Sequence, residues 1–190
     1  MAAELILLLL LLSAVAMYQF FRGRKLNLMI MKKISGDLEN ALMPLDKEYT
    51  WLGGYVGFKA KYALEKGEAE VTLTLLPRQA LLYLPFSLLI NRGDRLYLIF
   101  RGNIDLEEIH IFGRRKMLRR GERKELKGLE LKECEGFLFS GPEAQASEMI
   151  KVLKLDRRTL HHLYAKKGYI FLLANPLGEI DIKAFCSYLM

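Results

Sequence analysis

Residues 5–21 read Leu-Ile-Leu-Leu-Leu-Leu-Leu-Leu-Ser-Ala-Val-Ala-Met-Tyr-Gln-Phe-Phe, seventeen positions without a charge, and lead directly into Arg22, Arg24 and Lys25. A helix crosses the hydrocarbon core of a bilayer with roughly 17 to 25 apolar residues, so the stretch predicts a transmembrane helix at the short end of that range. Tyr18, Phe20 and Phe21 stand at its end, where amphipathic rings collect at a membrane interface. Glu4 is the only charge before the run, whereas Arg22, Arg24, Lys25, Lys32 and Lys33 follow it. The positive-inside bias then predicts a single-pass protein of the cell membrane or endoplasmic reticulum membrane, its C-terminal body in the cytosol. Ala14-Val15-Ala16 has the small-x-small form of a signal-peptide cleavage site. A cleaved leader carries its basic residues before the apolar run, however, and here they come after it, so a retained anchor is expected.

Beyond the anchor, about 165 residues remain, enough for one domain with its own core. Hydrophobic residues make up 52% of the chain and charged residues 27%, a globular composition without low-complexity stretches or repeats. Cys134 and Cys186 are too few for a disulfide framework, and two free thiols in a reducing compartment are expected. The net charge of +7 is unevenly placed. Arg114, Arg115, Lys116, Arg119, Arg120, Arg123, Lys124 and Lys127 face only Glu122 and Glu125 within one segment.

Periodicity places the elements. Asn27, Ile30, Met31, Ile34, Leu38, Ala41 and Leu42 recur at helical spacing until Pro44, predicting an amphipathic helix that continues from the membrane. Val56 to Leu64 and Val71 to Leu75 alternate as two strands around the turn Glu65-Lys66-Gly67-Glu68. Arg78 to Leu84 reads as a short helix cut off at Pro85. Arg95 to Arg101 is apolar on both faces and predicts a central strand. Glu108 to Phe112 and Gly136 to Phe139 read as short strands, and Pro142 opens a helix running to about Leu153. Tyr169 to Ala174 is a last strand, and Ile180 to Leu189 a closing helix. Strands and helices mix without regular alternation, so the fold class is α+β: a transmembrane helix followed by one mixed cytosolic domain. The expected division is an anchor at 1–24, an amphipathic connecting helix at 25–48 and the domain at 49–190.

Leu81 to Ile90 is unusually apolar, yet it is about half the length of a span and is bounded by Arg78 and Arg92. Packed on the sheet it would be a buried helix and loop; exposed, it would offer Leu81, Leu82, Leu84, Phe86, Leu88 and Leu89 to a membrane-embedded partner. Catalytic patterns are missing: there is no Gly-rich phosphate loop, no Gly-x-Ser-x-Gly and no zinc-protease helix. His161 and His162 could approach Cys134 and Cys186 around a metal, but adjacent histidines point apart and no pair has zinc-finger spacing, so no metal, cofactor or catalytic residue is expected. His110, alternating with Ile109 and Ile111, reads as a surface residue. The alternative to a non-enzymatic interaction module is a membrane-tethered enzyme or ligand-binding domain with residues gathered from distant positions.

The basic segment is either a solvated face or a contact for phosphates. Arg114, Arg115, Lys116, Arg119, Arg120, Arg123 and Lys124 would meet acidic lipid headgroups or ribosomal RNA. Aromatic residues are absent there, so base stacking is not indicated, and no DNA partner is expected. Arg78-Gln79-Ala80-Leu81-Leu82 after the hairpin, the strand Leu96 to Phe100, Phe137-Leu138-Phe139-Ser140-Gly141-Pro142, and Tyr169 through Asn175-Pro176 to Leu189 together resemble the cytosolic domain of the calumin family. These are single-span coiled-coil-domain proteins of the eukaryotic endoplasmic reticulum. That family has a long acidic luminal region linked to calcium binding, where this chain has only Met1 to Glu4 before its anchor, so calcium binding is not expected. The family also ends in a charged coiled coil that reaches the ribosome, whereas this sequence stops at Met190. The resemblance implies a non-enzymatic accessory factor beside a protein-conducting channel, a chaperone-like helper in the insertion and folding of multi-spanning membrane proteins.

Overall fold

The computed structural model describes residues 2–91, 93–113 and 129–176. Its first element, α1 (Ala2–Leu42), is one unbroken 41-residue helix, about 60 Å long at 1.5 Å per residue. The expected anchor and connecting helix are therefore a single rod. Its apolar stretch 5–21 is turned outward almost throughout and is long and apolar enough to cross a membrane. Past Arg22 the same helix turns one stripe inward: Gly23, Asn27, Ile30, Met31, Ile34, Leu38, Ala41 and Leu42 are all buried. Burying the large side chains of that stripe is worth on the order of 10 kcal/mol before ordering entropy is set against it. The helix ends where Met43 adopts a positive φ of 43° and donates its N–H to the Glu39 carbonyl at 3.0 Å, and Pro44 cannot continue it.

The body is a nine-stranded sheet, antiparallel at every pairing. Its strands are β1 (Asp46–Trp51), β2 (Gly57–Leu64), β3 (Gly67–Thr74), β4 (Arg95–Gly102), β5 (Ile109–Phe112), β6 (Lys132–Cys134), β7 (Phe137–Ser140), β8 (Leu160–Lys166) and β9 (Tyr169–Ala174), in spatial order β1-β2-β3-β4-β9-β8-β5-β7-β6. Among the described residues two short helices join them, α2 (Leu84–Asn91) and α3 (Glu143–Val152). Register aligns the apolar positions into rows across the sheet. Phe58, Leu73, Leu96 and Ala174 form one row; Ala60, Val71, Leu98, Leu172, Leu163, Ile111 and Phe139 form the next. The stripe of α1 and Ala146, Met149 and Ile150 of α3 belong with these rows to one core.

Two expectations need correction, and one buried strand was not foreseen. The connecting helix does not reach residue 48, because Asp46–Trp51 is the edge strand β1; all six of its residues are exposed, so it has no alternation to reveal it. Arg78 to Leu84 is not a helix ended by Pro85. The helix starts at Leu84 with Pro85 in its first turn, where the missing N–H costs nothing and the fixed φ suits a helix start. Strand β8 lay unrecognised because it is buried on both faces, apart from Tyr164 and Lys166, and carries a register shift between Leu160 and His162. The segment Arg114 to Lys127 and the expected helix Ile180 to Leu189 lie outside the described residues.

Candidate functional site

The sheet is locked to α1 just where the apolar stretch ends. Asn27, fully buried, donates from its amide to the carbonyls of Tyr55 and Leu76, each at 2.9 Å. Its own carbonyl accepts from the Arg78 guanidinium at 2.9 Å. Arg78 then forks onto Asp94, Nη1 to Oδ1 at 3.1 Å and Nη2 to Oδ2 at 2.6 Å. The Asp94 carboxylate, its side chain only 2% exposed, takes a third hydrogen bond from the Leu76 N–H at 2.8 Å. Toward the apolar stretch, Gln19 donates to the Arg78 carbonyl at 2.8 Å. Gly23 lies so close to the Arg78 and Gln79 backbone that a Cβ there would collide with it. A fork of two charge-assisted hydrogen bonds, closed by a buried amide, fixes both distance and rotation.

Held by this clamp, α2 lies beside residues 19–26 of α1, and Gln19, Arg22, Gly23, Leu26, Leu76, Arg78, Leu84 and Leu88 line the cleft between them. Of the residues expected to meet a partner, Leu81, Leu82, Phe86, Leu88 and Leu89 are exposed, and Leu84 is half-buried. Tyr83 and Ile90 join them outside. Among the described side chains of α2, Ser87 is the one turned fully inward. No charged residue occurs from Gln79 to Asn91. The β1–β2 loop reaches the same end of the molecule. Trp51 and Leu52 are exposed there, Trp51 meets the Tyr55 ring edge-on, and the Arg24 guanidinium sits 4.4 Å above that ring.

The opposite end of these strands is charged. Glu39 accepts from Lys47 and from the Tyr49 hydroxyl, both at 2.6 Å, and these bonds hold its carboxyl below the usual range. Burial, aided by Glu39 and Tyr62, raises the Tyr49 phenol. Glu70 bridges Lys59 and Arg101, and Glu68 also meets Arg101.

The second half of the sheet carries an aromatic ladder on the face away from α1. His110 stacks on Tyr164 at 4.5 Å and on His162 at 5.4 Å, and His162 stacks on Phe112 at 4.3 Å. His110 Nδ1 and His162 Nε2 share a hydrogen bond of 3.2 Å. Tyr164, raised by burial and by its bond to Glu108, donates to that carboxylate at 3.0 Å. His110 is thus half-buried, not a surface residue, because β5 lies between β7 and β8 and both neighbours crowd it. Among the described residues no group of three or more His, Cys, Asp or Glu side chains could hold a metal ion.

The basic residues Arg114, Arg115, Lys116, Arg119, Arg120, Arg123 and Lys124 lie outside the described residues, in the connection from β5 to β6. The clamp is the part of the site that sequence reasoning missed. Asn27 stood out as the one polar member of an otherwise apolar stripe, and that was its signal. The chain matches no protein-family model and no curated protein.

Proposed function

We propose that the chain is a membrane-anchored, non-enzymatic accessory factor that works beside a protein-conducting channel and assists insertion and folding of multi-spanning membrane proteins. The observation that carries this reading is the clamp: the sheet is not tethered by a flexible linker but is fixed to α1 at Gln19 to Asn27, directly below the apolar stretch. A domain held this way stands at the membrane surface with a set orientation, which suits a part that guides other chains within the bilayer plane. The basic residues following the apolar stretch favour the cytosolic side for that domain. The sequence resemblance to the calumin family points to the same role. The basic segment Arg114 to Lys127 then supplies phosphate contacts, to ribosomal RNA or acidic headgroups.

Photo-crosslinking tests it. Met29 is exposed on α1 one turn beyond the basic cluster, and a photo-activated residue there in the full chain, in native membranes, should capture channel subunits or nascent multi-spanning chains. Loss of the protein should impair insertion of multi-spanning proteins more than that of single spans. Unimpaired insertion together with adducts to neither class would overturn the reading.

A further inference from the structure

We infer that α2 and the β1–β2 loop form a second membrane contact, seated among the lipids of the leaflet next to the sheet domain. This rests on the anchor part of the proposed function and on nothing else in it. If residues 5–21 occupy hydrocarbon, Gln19 to Leu26 lie at the boundary between acyl chains and headgroups. The clamp holds α2 against those same residues, so its outer face lies at that depth whether or not any protein is nearby. Lipid is the occupant that comes with the anchor, and a protein would have to displace it.

Composition agrees with the height. Beyond α1, thirteen large apolar or aromatic residues are exposed among the described residues, and nine of them are at this end: Trp51, Leu52, Leu81, Leu82, Tyr83, Phe86, Leu88, Leu89 and Ile90. A monomer in water rarely gathers so many in one place. Trp and Tyr with flanking Arg are the residue types of a membrane interface, and Trp51, Tyr55 and Tyr83 accompany Arg22 and Arg24. The apolar surface of α2 is also continuous with that of the span through Leu26 and Leu88, which share one cleft.

The full-length chain, with Cys134 and Cys186 changed to Ser, is reconstituted into phosphatidylcholine nanodiscs carrying a nitroxide near either the glycerol or the acyl-chain end. An environment-sensitive fluorophore is attached in turn at Leu89→Cys, Leu10→Cys and Val152→Cys. The label at 89 should be quenched severalfold by the shallow nitroxide, that at 10 by the deep one, and that at 152 by neither. Quenching at 10 without quenching at 89 overturns the seat while leaving the anchor standing; no quenching at 10 overturns the anchor itself. In native membranes a photo-activated residue at 89 should give lipid adducts, and a single protein adduct in their place would reassign the face to that protein.

Discussion

Replacing Asp94 by Ala isolates the clamp between sheet and helix. The substitution removes the acceptor of three hydrogen bonds, leaving the Arg78 guanidinium without its carboxylate and the Leu76 N–H without its acceptor. Breaking one partner of a buried ion pair costs about 3–5 kcal/mol. The Arg78 side chain is 17% exposed and can turn partly to water, so the lower end applies, about 3 kcal/mol. In a chain of this size that lowers Tm by about 6–12 °C. Trp51, the sole tryptophan, reports on it in detergent micelles, since it packs on Tyr55, whose carbonyl Asn27 holds. The double variant Arg78→Met, Asp94→Leu removes the stranded charge but leaves two neutral groups unpaired, the Leu76 N–H and the Asn27 side-chain carbonyl, so it should regain only part of the loss. A shift below about 2 °C for Asp94→Ala, or a double variant less stable than the single one, would refute the clamp as the joint of the molecule.

The two glycines of α1 should respond oppositely. Gly23→Ala drives a methyl into the Arg78 backbone and should cost more than about 1 kcal/mol, whereas Gly36→Ala, with open space around it, should gain up to about 1 kcal/mol, both read from denaturant midpoints. Glu39 has a lowered carboxyl pKa in the folded chain, so its contribution is present above the unfolded carboxylate value and is lost as pH falls through the folded one. Glu39→Gln should therefore flatten stability below about pH 4, by under about 1 kcal/mol for so exposed a pair, in urea titrations across that range. Protease added to intact cells should spare everything after Arg22, and digestion of the domain there, or a mature chain starting at Met17, would reverse the topology. Reversing two of Arg114, Arg115, Arg119, Arg120 and Arg123 should weaken binding to ribosomes or acidic vesicles with a shallower salt slope, and salt-insensitive binding would leave them as a solvated face.

What the sequence made legible was what repeats. The apolar run, the stripe from Asn27 to Leu42, and the alternation in β2 and β3 each come from burial on one face, which writes a period into a chain, while β4 and β9 showed as short apolar runs bounded by turn residues. The strand β1 was silent because all six of its residues are exposed, so its backbone pairing to β2 leaves no burial period in the sequence. β8 was hidden by the opposite condition, burial on both faces plus a register shift. Pro85 misled because the same ring that ends one helix begins another, and only the packing of Ser87 and Leu84 against α1 and its neighbours decides which. The clamp joins positions 27, 78 and 94, and no local pattern links residues so far apart. Arg78 and Gln79 were visible as a motif, but their role depends on a partner 51 residues earlier in the chain.

The sheet carries two independent gradients, and they have different causes. Across the strands, buried rows alternate with exposed ones, which the core requires. Along the strands, polarity rises from Trp51, Leu52 and the α2 face at one end to Asp46, Lys47, Glu48, Lys61, Glu68 and Arg101 at the other. Folding does not require this second gradient, since either end could be capped by polar turns at no cost to the core. Strands of eight residues extend about 26 Å, more than enough to reach from an acyl boundary through a headgroup region of about 5–8 Å into water. The direction of the gradient is also the direction of α1, from its apolar stretch toward Leu42, because Asn27 holds the apolar end and Glu39 the charged end. A domain free to tumble on a flexible tether would experience no such direction. A rigid one would, and the clamp supplies the rigidity that makes a polarity gradient along the strands useful.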